Sequence, residues 1–264
     1  MNVLDKIVQT KKEEVAYQKS VISIDDLIRS SHFERECYSV SQNLLQAAPY
    51  GIISEFKRQS PSKGVINDKV DVAEVSKGYC QAGASAISIL TDKDYFGGSI
   101  EDLQRAKKHM TCPVLRKDFV VDEFQIYETK AIGADLMLLI AAILTRDEIV
   151  KFTDLAHKLG LEVLLEIHNE DEFNDGYYEA VDILGVNNRD LKLFRTTIQN
   201  SIDLAKILPA EQLKISESGI SSTKEMDILA AEGYKGFLIG EQFMKHSDPA
   251  DELKKFMETQ LAKG

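Results

Sequence analysis

At 264 residues, with 44% hydrophobic and 28% charged side chains, the chain has an ordinary globular composition and the length of one large α/β barrel or two average domains. Its formal net charge of −11 leaves no basic field to replace the counterions of a nucleic acid, so any anionic ligand must be gripped by a local cationic pocket or by backbone N–H groups. No apolar run reaches the roughly 18 residues of a membrane span, and Met1-Asn2-Val3-Leu4-Asp5-Lys6 lacks the apolar stretch of a secretory signal, so a cytoplasmic protein without membrane or nucleic-acid partners is expected.

In chain order, residues 3–19 carry Val3, Leu4, Ile7, Val8 and Val15 at helical spacing among lysines and glutamates. Residues 24–48 read as short helices and loops, with Ser23 or Asp25 as a cap, and Pro49-Tyr50-Gly51 closes the region. This leader, residues 1–48, is too short for a core of its own. It is predicted to be a helical extension of a single domain spanning 1–264.

From Gly51 onward the pattern alternates. Short apolar runs sit at 52–56, 86–90, 113–115, 135–140, 161–167, 181–187, 213–216 and 236–239. Amphipathic segments follow them at 71–82, 99–109, 122–132, 145–159, 169–180, 200–208, 222–232 and 248–261. Ser99-x-x-Asp102, Thr145-x-x-Glu148 and Ser222-x-x-Glu225 resemble capping boxes, and Asp248 precedes a first-turn Pro249. Gly83, Gly133, Gly160 and Gly233 fall just past helices, where a left-handed cap favours glycine. Continuous apolar strands alternating with helices mean a covered parallel sheet. Eight such units at this length predict a closed (β/α)8 TIM barrel, preferred to an open doubly wound sheet.

Such a barrel builds its active face from the loops after the strands, so the strand ends carry the functional reading. Glu55 and Lys57, two apart, share one face of the first strand. Opposite charges on an apolar strand are costly to bury without partners or work, and a single pair would read as a structural ion pair. The pattern recurs: Lys117 ends the third strand, Glu166 the fifth, Asn187 and Arg189 the sixth, and Glu217 and Ser218 the seventh. Carboxylates and ammonium groups gathered at one mouth perturb each other's pKa. Gly219 and Gly240, with Glu241, follow strands seven and eight, where backbone N–H groups can hold a phosphate; Ser60 can add a hydroxyl. Cys37, Cys80 and Cys112 match neither a zinc spacing nor a disulfide framework and read as reduced thiols. The five histidines form no H-x-x-x-H pair, so no metal and no other cofactor is expected.

At this point a resemblance is evident. The stretches are Ile53-Ser54-Glu55-Phe56-Lys57-Arg58-Gln59-Ser60-Pro61-Ser62-Lys63-Gly64, Leu90-Thr91-Asp92-Lys93-Asp94-Tyr95-Phe96-Gly97-Gly98-Ser99, Leu115-Arg116-Lys117-Asp118-Phe119, Leu165-Glu166-Ile167-His168, Gly185-Val186-Asn187-Asn188-Arg189-Asp190-Leu191, Glu217-Ser218-Gly219-Ile220 and Leu238-Ile239-Gly240. In this order they resemble the indole-3-glycerol-phosphate synthase family of tryptophan biosynthesis from end to end, with Val3-Leu4-Asp5-Lys6-Ile7-Val8 resembling its N-terminal extension. Gln59 and Glu241 depart from the family's commoner choices, and Glu241 would act through its backbone N–H.

The resemblance implies a carboxy-lyase that converts 1-(2-carboxyphenylamino)-1-deoxyribulose 5-phosphate into indole-3-glycerol phosphate, CO2 and water. It implies Lys117 as general acid at the ketone oxygen and Glu166 as the base of the dehydration. Lys57 would bind the substrate carboxylate or serve as a second acid, and Glu55, Asn187 and Glu217 would complete the polar network. Arg189 would orient its neighbours, and Ser60, Ser218, Gly219, Gly240 and Glu241 would hold the phosphate. Phe96, Phe119, Leu138 and Ile140 would form the aromatic slot, although the last two fit plain barrel core as well. His168, two residues beyond Glu166, reads as structural, and the polar loop from Arg58 to Asn67 as a lid. The partner is a small phosphorylated substrate, met by a chain that needs no second copy. Two alternatives stand beside this: an isomerase of phosphoribosyl compounds, and a catalytically silent barrel that senses phosphorylated metabolites.

Overall fold

In the computed structural model, which describes residues 3–189 and 195–261, eight strands close into a parallel barrel. They are β1 (Gly51–Phe56), β2 (Ala86–Leu90), β3 (Val114–Lys117), β4 (Leu136–Ile140), β5 (Glu162–Ile167), β6 (Ile183–Asn187), β7 (Lys214–Glu217) and β8 (Gly236–Ile239). Each pairs with its neighbour in sequence, and β8 returns to β1. The predicted (β/α)8 architecture is thus the fold, with helix α1 (Val3–Val21) ahead of it. The end of the sixth-strand motif, Asp190 and Leu191, lies outside the described residues.

Period-two alternation along buried strands feeds two apolar layers. Ile53, Leu115, Leu138, Leu164, Ile183, Ile215 and Leu238 fill the barrel interior. Their neighbours Ile52, Leu139, Leu165, Leu184 and Phe237 pack outward against the helices. Each such side chain removed from water contributes about 1.5–3 kcal/mol. The same alternation sorts charges on β3: Lys117 points into the mouth, while buried Arg116 turns outward to Glu128 at 2.6 Å and Asp118 at 3.1 Å.

The helix signals hold with one exception. Thr145 and Glu148 close a reciprocal box, and Asp248 accepts from the Asp251 N–H at 3.0 Å. Ser23, not Asp25, caps α2 (Ile24–Ile28). Ser99 accepts from the Asp102 N–H, but the Asp102 carboxylate is held by both terminal nitrogens of Arg58 and never returns to Ser99. The four glycines after helices all have positive φ.

The leader runs from one end of the barrel to the other. At the C-terminal rim, Lys11 of α1 is 2% exposed, with its Nζ 2.9 Å from Asp118 Oδ1 and 3.2 Å from Asp92 Oδ2. At the opposite end, α3 (Val40–Gln46) presents the N–H groups of Val40 and Ser41 to Glu162, at 2.8 and 2.9 Å. Leu44 of α3 plugs the barrel floor: a Cβ on Gly51 or Gly236 would meet its Cδ2 at 2.6 or 2.7 Å. Lys11→Met leaves Asp92 and Asp118 buried with one cation fewer. The expected loss is about 3 kcal/mol, the lower end for a broken buried pair because Arg116 still serves Asp118. Urea denaturation reads it, and a loss below about 1 kcal/mol would mean that water replaces the ammonium.

One expectation is corrected. Cys80 and Cys112 form a disulfide, not two reduced thiols, and only Cys37 is free. The pair is separated by 32 residues, and packing of helix Val72–Gln81 beside the start of β3 brings their Cα atoms to 5.8 Å. No spacing rule detects such a contact, because the β/α fold makes it. Among the described residues, no helix is long and apolar enough to cross a membrane.

Candidate active site

Four strands deliver the central ions. Glu55 is the penultimate residue of β1, and Lys57 follows it with Nζ 2.5 Å from Glu55 Oε1. Lys117 ends β3 and lies between two carboxylates, 2.6 Å from Glu166 Oε2 of β5 and 2.7 Å from Glu217 Oε2 of β7. From the end of β6, Asn187 donates through Nδ2 to Glu166 Oε1 at 3.2 Å, and its Oδ1 accepts the Arg189 N–H at 3.0 Å. Glycines make the room: a Cβ at Gly185 would meet Glu217 Oε1 at 2.5 Å, and one at Gly240 would meet Glu55 Oε1 at 2.8 Å.

The electrostatics follow from this enclosure. Burial opposes the Lys117 charge, but Glu166, Glu217 and Glu55 outweigh it and raise the ammonium's pKa. Burial likewise opposes the Glu166 charge, yet Lys117, followed by His168, holds that carboxyl well below its usual range. Glu217 goes the other way. Burial, with repulsion from Glu166 and Glu55, pushes it up to about 7 despite Lys117. Two carboxylates sharing one lysine therefore part in acidity, the pattern by which acid and base roles are divided.

These ions line a cavity of about 760 Å³, including the part open to solvent. Its other wall is apolar. Phe96 and Phe119 lie with ring centroids 6.0 Å apart, and Leu138 and Ile140 face the same space. Both aliphatic residues belong to the barrel core and to the cavity wall at once, so the two readings of them coincide. A smaller cavity of about 370 Å³ adjoins it, with Ser218, Gly219, Gly240 and Glu241 in its lining. Lys57, Glu55 and Arg189 border both spaces. Ser218 has φ +67°, a strained backbone for a residue with a side chain, and Gly219 continues it at φ +74°. A Cβ on Gly219 would also strike the Thr196 methyl at 2.6 Å.

Not every predicted residue arrives. Ser60 is buried in the two-stranded ribbon formed by Gln59–Ser60 and Gly64–Val65, and lines neither cavity. The Glu241 carboxylate points at Lys63, 3.5 Å away, and Arg189, 3.9 Å away. Arg189 also donates to Ser62 Oγ at 2.8 Å, so the tip of the loop from Arg58 to Asn67 rests on the rim of the smaller cavity. Sequence reasoning missed Leu4, Leu90, Asp118 and Leu238 in the wall of the larger cavity. Inward register on β8 signals Leu238; nothing local signals Leu4, which reaches the site because α1 docks across the mouth.

A parallel eight-stranded barrel with lysine and glutamate side chains converging at its C-terminal mouth is an enzyme of the acid–base kind. The family model described as indole-3-glycerol phosphate synthase matches residues 4–256. The indole-3-glycerol phosphate synthase of Bacteroides thetaiotaomicron is 43% identical over 257 residues, covering 97% of this chain and 98% of its own. That of Caldanaerobacter subterraneus is 43% identical over 243 residues, covering 92% and 93%. The chain belongs to the indole-3-glycerol phosphate synthase family. Among solved structures, 3-hexulose-6-phosphate synthase from Salmonella typhimurium aligns at a TM-score of 0.61 over 81% of this chain and 100% of that one. At 16% identity that likeness concerns the fold.

Proposed function

We propose that this site converts 1-(2-carboxyphenylamino)-1-deoxyribulose 5-phosphate into indole-3-glycerol phosphate, CO2 and water, with Lys117 as general acid and Glu166 as general base. The observation that carries the reading is a lysine gripped by two glutamates between an aromatic wall and a glycine-rich turn. The anilide ring lies against Phe96, Phe119, Leu138 and Ile140, and the phosphate lies at Ser218, Gly219, Gly240 and Glu241 with Arg189 beside it. That order matches one long substrate, apolar at one end and dianionic at the other. A phosphate there competes with the Glu241 carboxylate for Lys63 and Arg189.

The chemistry then runs in three steps. The ring carbon bearing the carboxylate attacks the ketone carbon, the ketone π-pair moves to oxygen, and Lys117 delivers a proton there. CO2 leaves, and its bonding pair restores the aromatic ring. The new hydroxyl takes a proton from Lys57, or from a recharged Lys117 where Lys57 holds the carboxylate, and departs as water while Glu166 takes the proton from the anilino nitrogen or the adjacent carbon. Lys57, which borders both cavities, holds the substrate carboxylate or protonates the departing hydroxyl. Glu55 fixes Lys57, and Asn187 and Glu217 fix Glu166 and Lys117. The ribbon-bearing loop from Arg58 to Asn67 closes over the phosphate end and excludes water.

A cytoplasmic enzyme acting as a single chain on this small substrate completes the proposal, in keeping with an acidic, lysine-bearing and aromatic cavity wall that lies within one chain. The test is turnover of the synthetic substrate, followed by the indole fluorescence of the product. Multiple turnovers are expected from the purified chain alone. Binding without turnover would favour a silent sensor, and conversion of a phosphoribosyl isomerase substrate would favour that rival instead.

A further inference from the structure

His168 takes no part in the scheme above, yet it stands against the proposed base. It follows β5 by one residue, and its side chain is 6% exposed. Its Nδ1 is 3.0 Å from Glu172 Oε2, and its Nε2 is 3.3 Å from Glu166 Oε1. The His168 backbone N–H donates to the same Glu172 oxygen at 2.8 Å, and its carbonyl accepts from Asn200 Nδ2 at 3.0 Å. The ring is therefore hydrogen-bonded at Nδ1 to Glu172, while its buried Nε2 makes no aligned hydrogen bond and lies at ion-pair distance from Glu166. A neutral imidazole has one nitrogen without a proton, which here would face a carboxylate lone pair. The imidazolium is the form that attracts both carboxylates.

We infer that His168 is a positioning residue, a fixed cation behind Glu166 that keeps this carboxylate ionised and aimed while Lys117 gives up its proton. This rests on the acid and base roles proposed for Lys117 and Glu166. Glu166 has two oxygens and two cationic contacts: Oε2 faces Lys117, and Oε1 faces His168. Once Lys117 has protonated the ketone oxygen it is neutral, and its support of Glu166 is gone. A buried carboxylate with no other cation would compete with the substrate for that same proton. His168 remains charged throughout because Glu172 holds it from the far side. No proton moves along Glu172, His168 and Glu166; the arrangement supplies a standing charge.

The charged groups around this pair are Lys117 from β3 and Asp118 after it, Glu217 from β7, Glu55 from β1 and Lys57 after it, Arg189 beyond β6, and Glu172 from helix Glu170–Gly176. Burial opposes the imidazolium, but Glu166 and Glu172 outweigh it and push its pKa up to about 10. The first measurement needs no variant. Imidazole 15N shifts of the wild-type protein are expected to show one of the five histidines still protonated at about pH 8.5, far above an ordinary imidazole. Five neutral rings at that pH would overturn the inference.

The second measurement is the pH profile of turnover. His168→Gln removes the cation, so Glu166 becomes easier to protonate. The acid limb of kcat/KM is expected to move up by about one pH unit or more, with kcat down about tenfold and KM nearly kept. Glu172→Gln leaves the ring but releases its clamp, so kcat is expected to fall between about pH 6 and 8, where the wild type is flat. A folded His168→Gln enzyme with an unmoved acid limb would overturn the positioning role. A wild-type protein with the protonated histidine but no turnover would instead defeat the acid–base reading itself.

Discussion

Replacing Lys117 by alanine is expected to lower kcat by about 10²–10⁴, the usual worth of a positioned acid. Nζ of Lys117 touches both Glu166 and Glu217 and lines the cavity between them. Lys57, the other lysine in the wall, is tied to Glu55 at 2.5 Å and does not touch Glu166 or Glu217. The variant also leaves two buried carboxylates facing each other. Glu217, already pushed up to about 7 by burial and by its neighbours, then loses the one cation that pulls it down and moves higher. So Lys117→Ala should be nearly inactive and should take up an extra proton near neutrality. Single-turnover kinetics by product fluorescence check the first point, and potentiometric titration of variant against wild type checks the second. Near-normal turnover would remove Lys117 from the acid role.

Glu166→Gln is the complementary experiment, with kcat again expected to fall by about 10²–10⁴. The amide keeps the size of the side chain and its one oxygen can still accept from Lys117, while its NH2 replaces the oxygen that faces Asn187, so the cavity should stand and KM should change little. The sign of the pH effect follows from the shift. Glu166 is held below the usual carboxylate range, so its ionised form is present at neutral pH and is lost only as pH falls through that depressed value. Wild-type activity should therefore persist into mildly acid solution, and the limb assigned to Glu166 should vanish in the variant. An acid limb that survives Glu166→Gln belongs to another group. Unchanged rates in both variants would take Lys117 and Glu166 out of the acid and base roles.

The two experiments concern residues that were legible before any fold was known, and the reason is local. Glu55, Lys57, Lys117, Glu166 and Glu217 each end an apolar run too short for a helix and bounded by turn residues. A parallel barrel gathers every such end at one mouth. Given the eightfold repeat, convergence follows from topology, so no contact had to be foreseen. Gly219 and Gly240 were legible for the same reason, since they lie within two residues of the ends of β7 and β8.

Other features had no local trace. Ser60 shares the motif of Glu55 and Lys57, but a hairpin turns it away from both cavities. His168 reads as structural from its place two residues beyond Glu166, and the contact with Glu172 shows only in the structure. Cys80 and Cys112 read as unrelated thiols until packing brought them together.

By itself, then, the order of residues determined the number of barrel strands and the set of ions at the rim. These depend on periodicity and on turn chemistry, which act over a few residues. Only the tertiary structure decided that Lys117 is shared by Glu166 and Glu217, that Glu166 and Glu217 part in acidity, and that Leu4 and Lys11 of the leader close the mouth. Those outcomes depend on distances of 3 Å or less between distant segments and on the exclusion of water around them. Coulomb energy in a buried site varies too steeply with distance and surroundings for a linear pattern to record it.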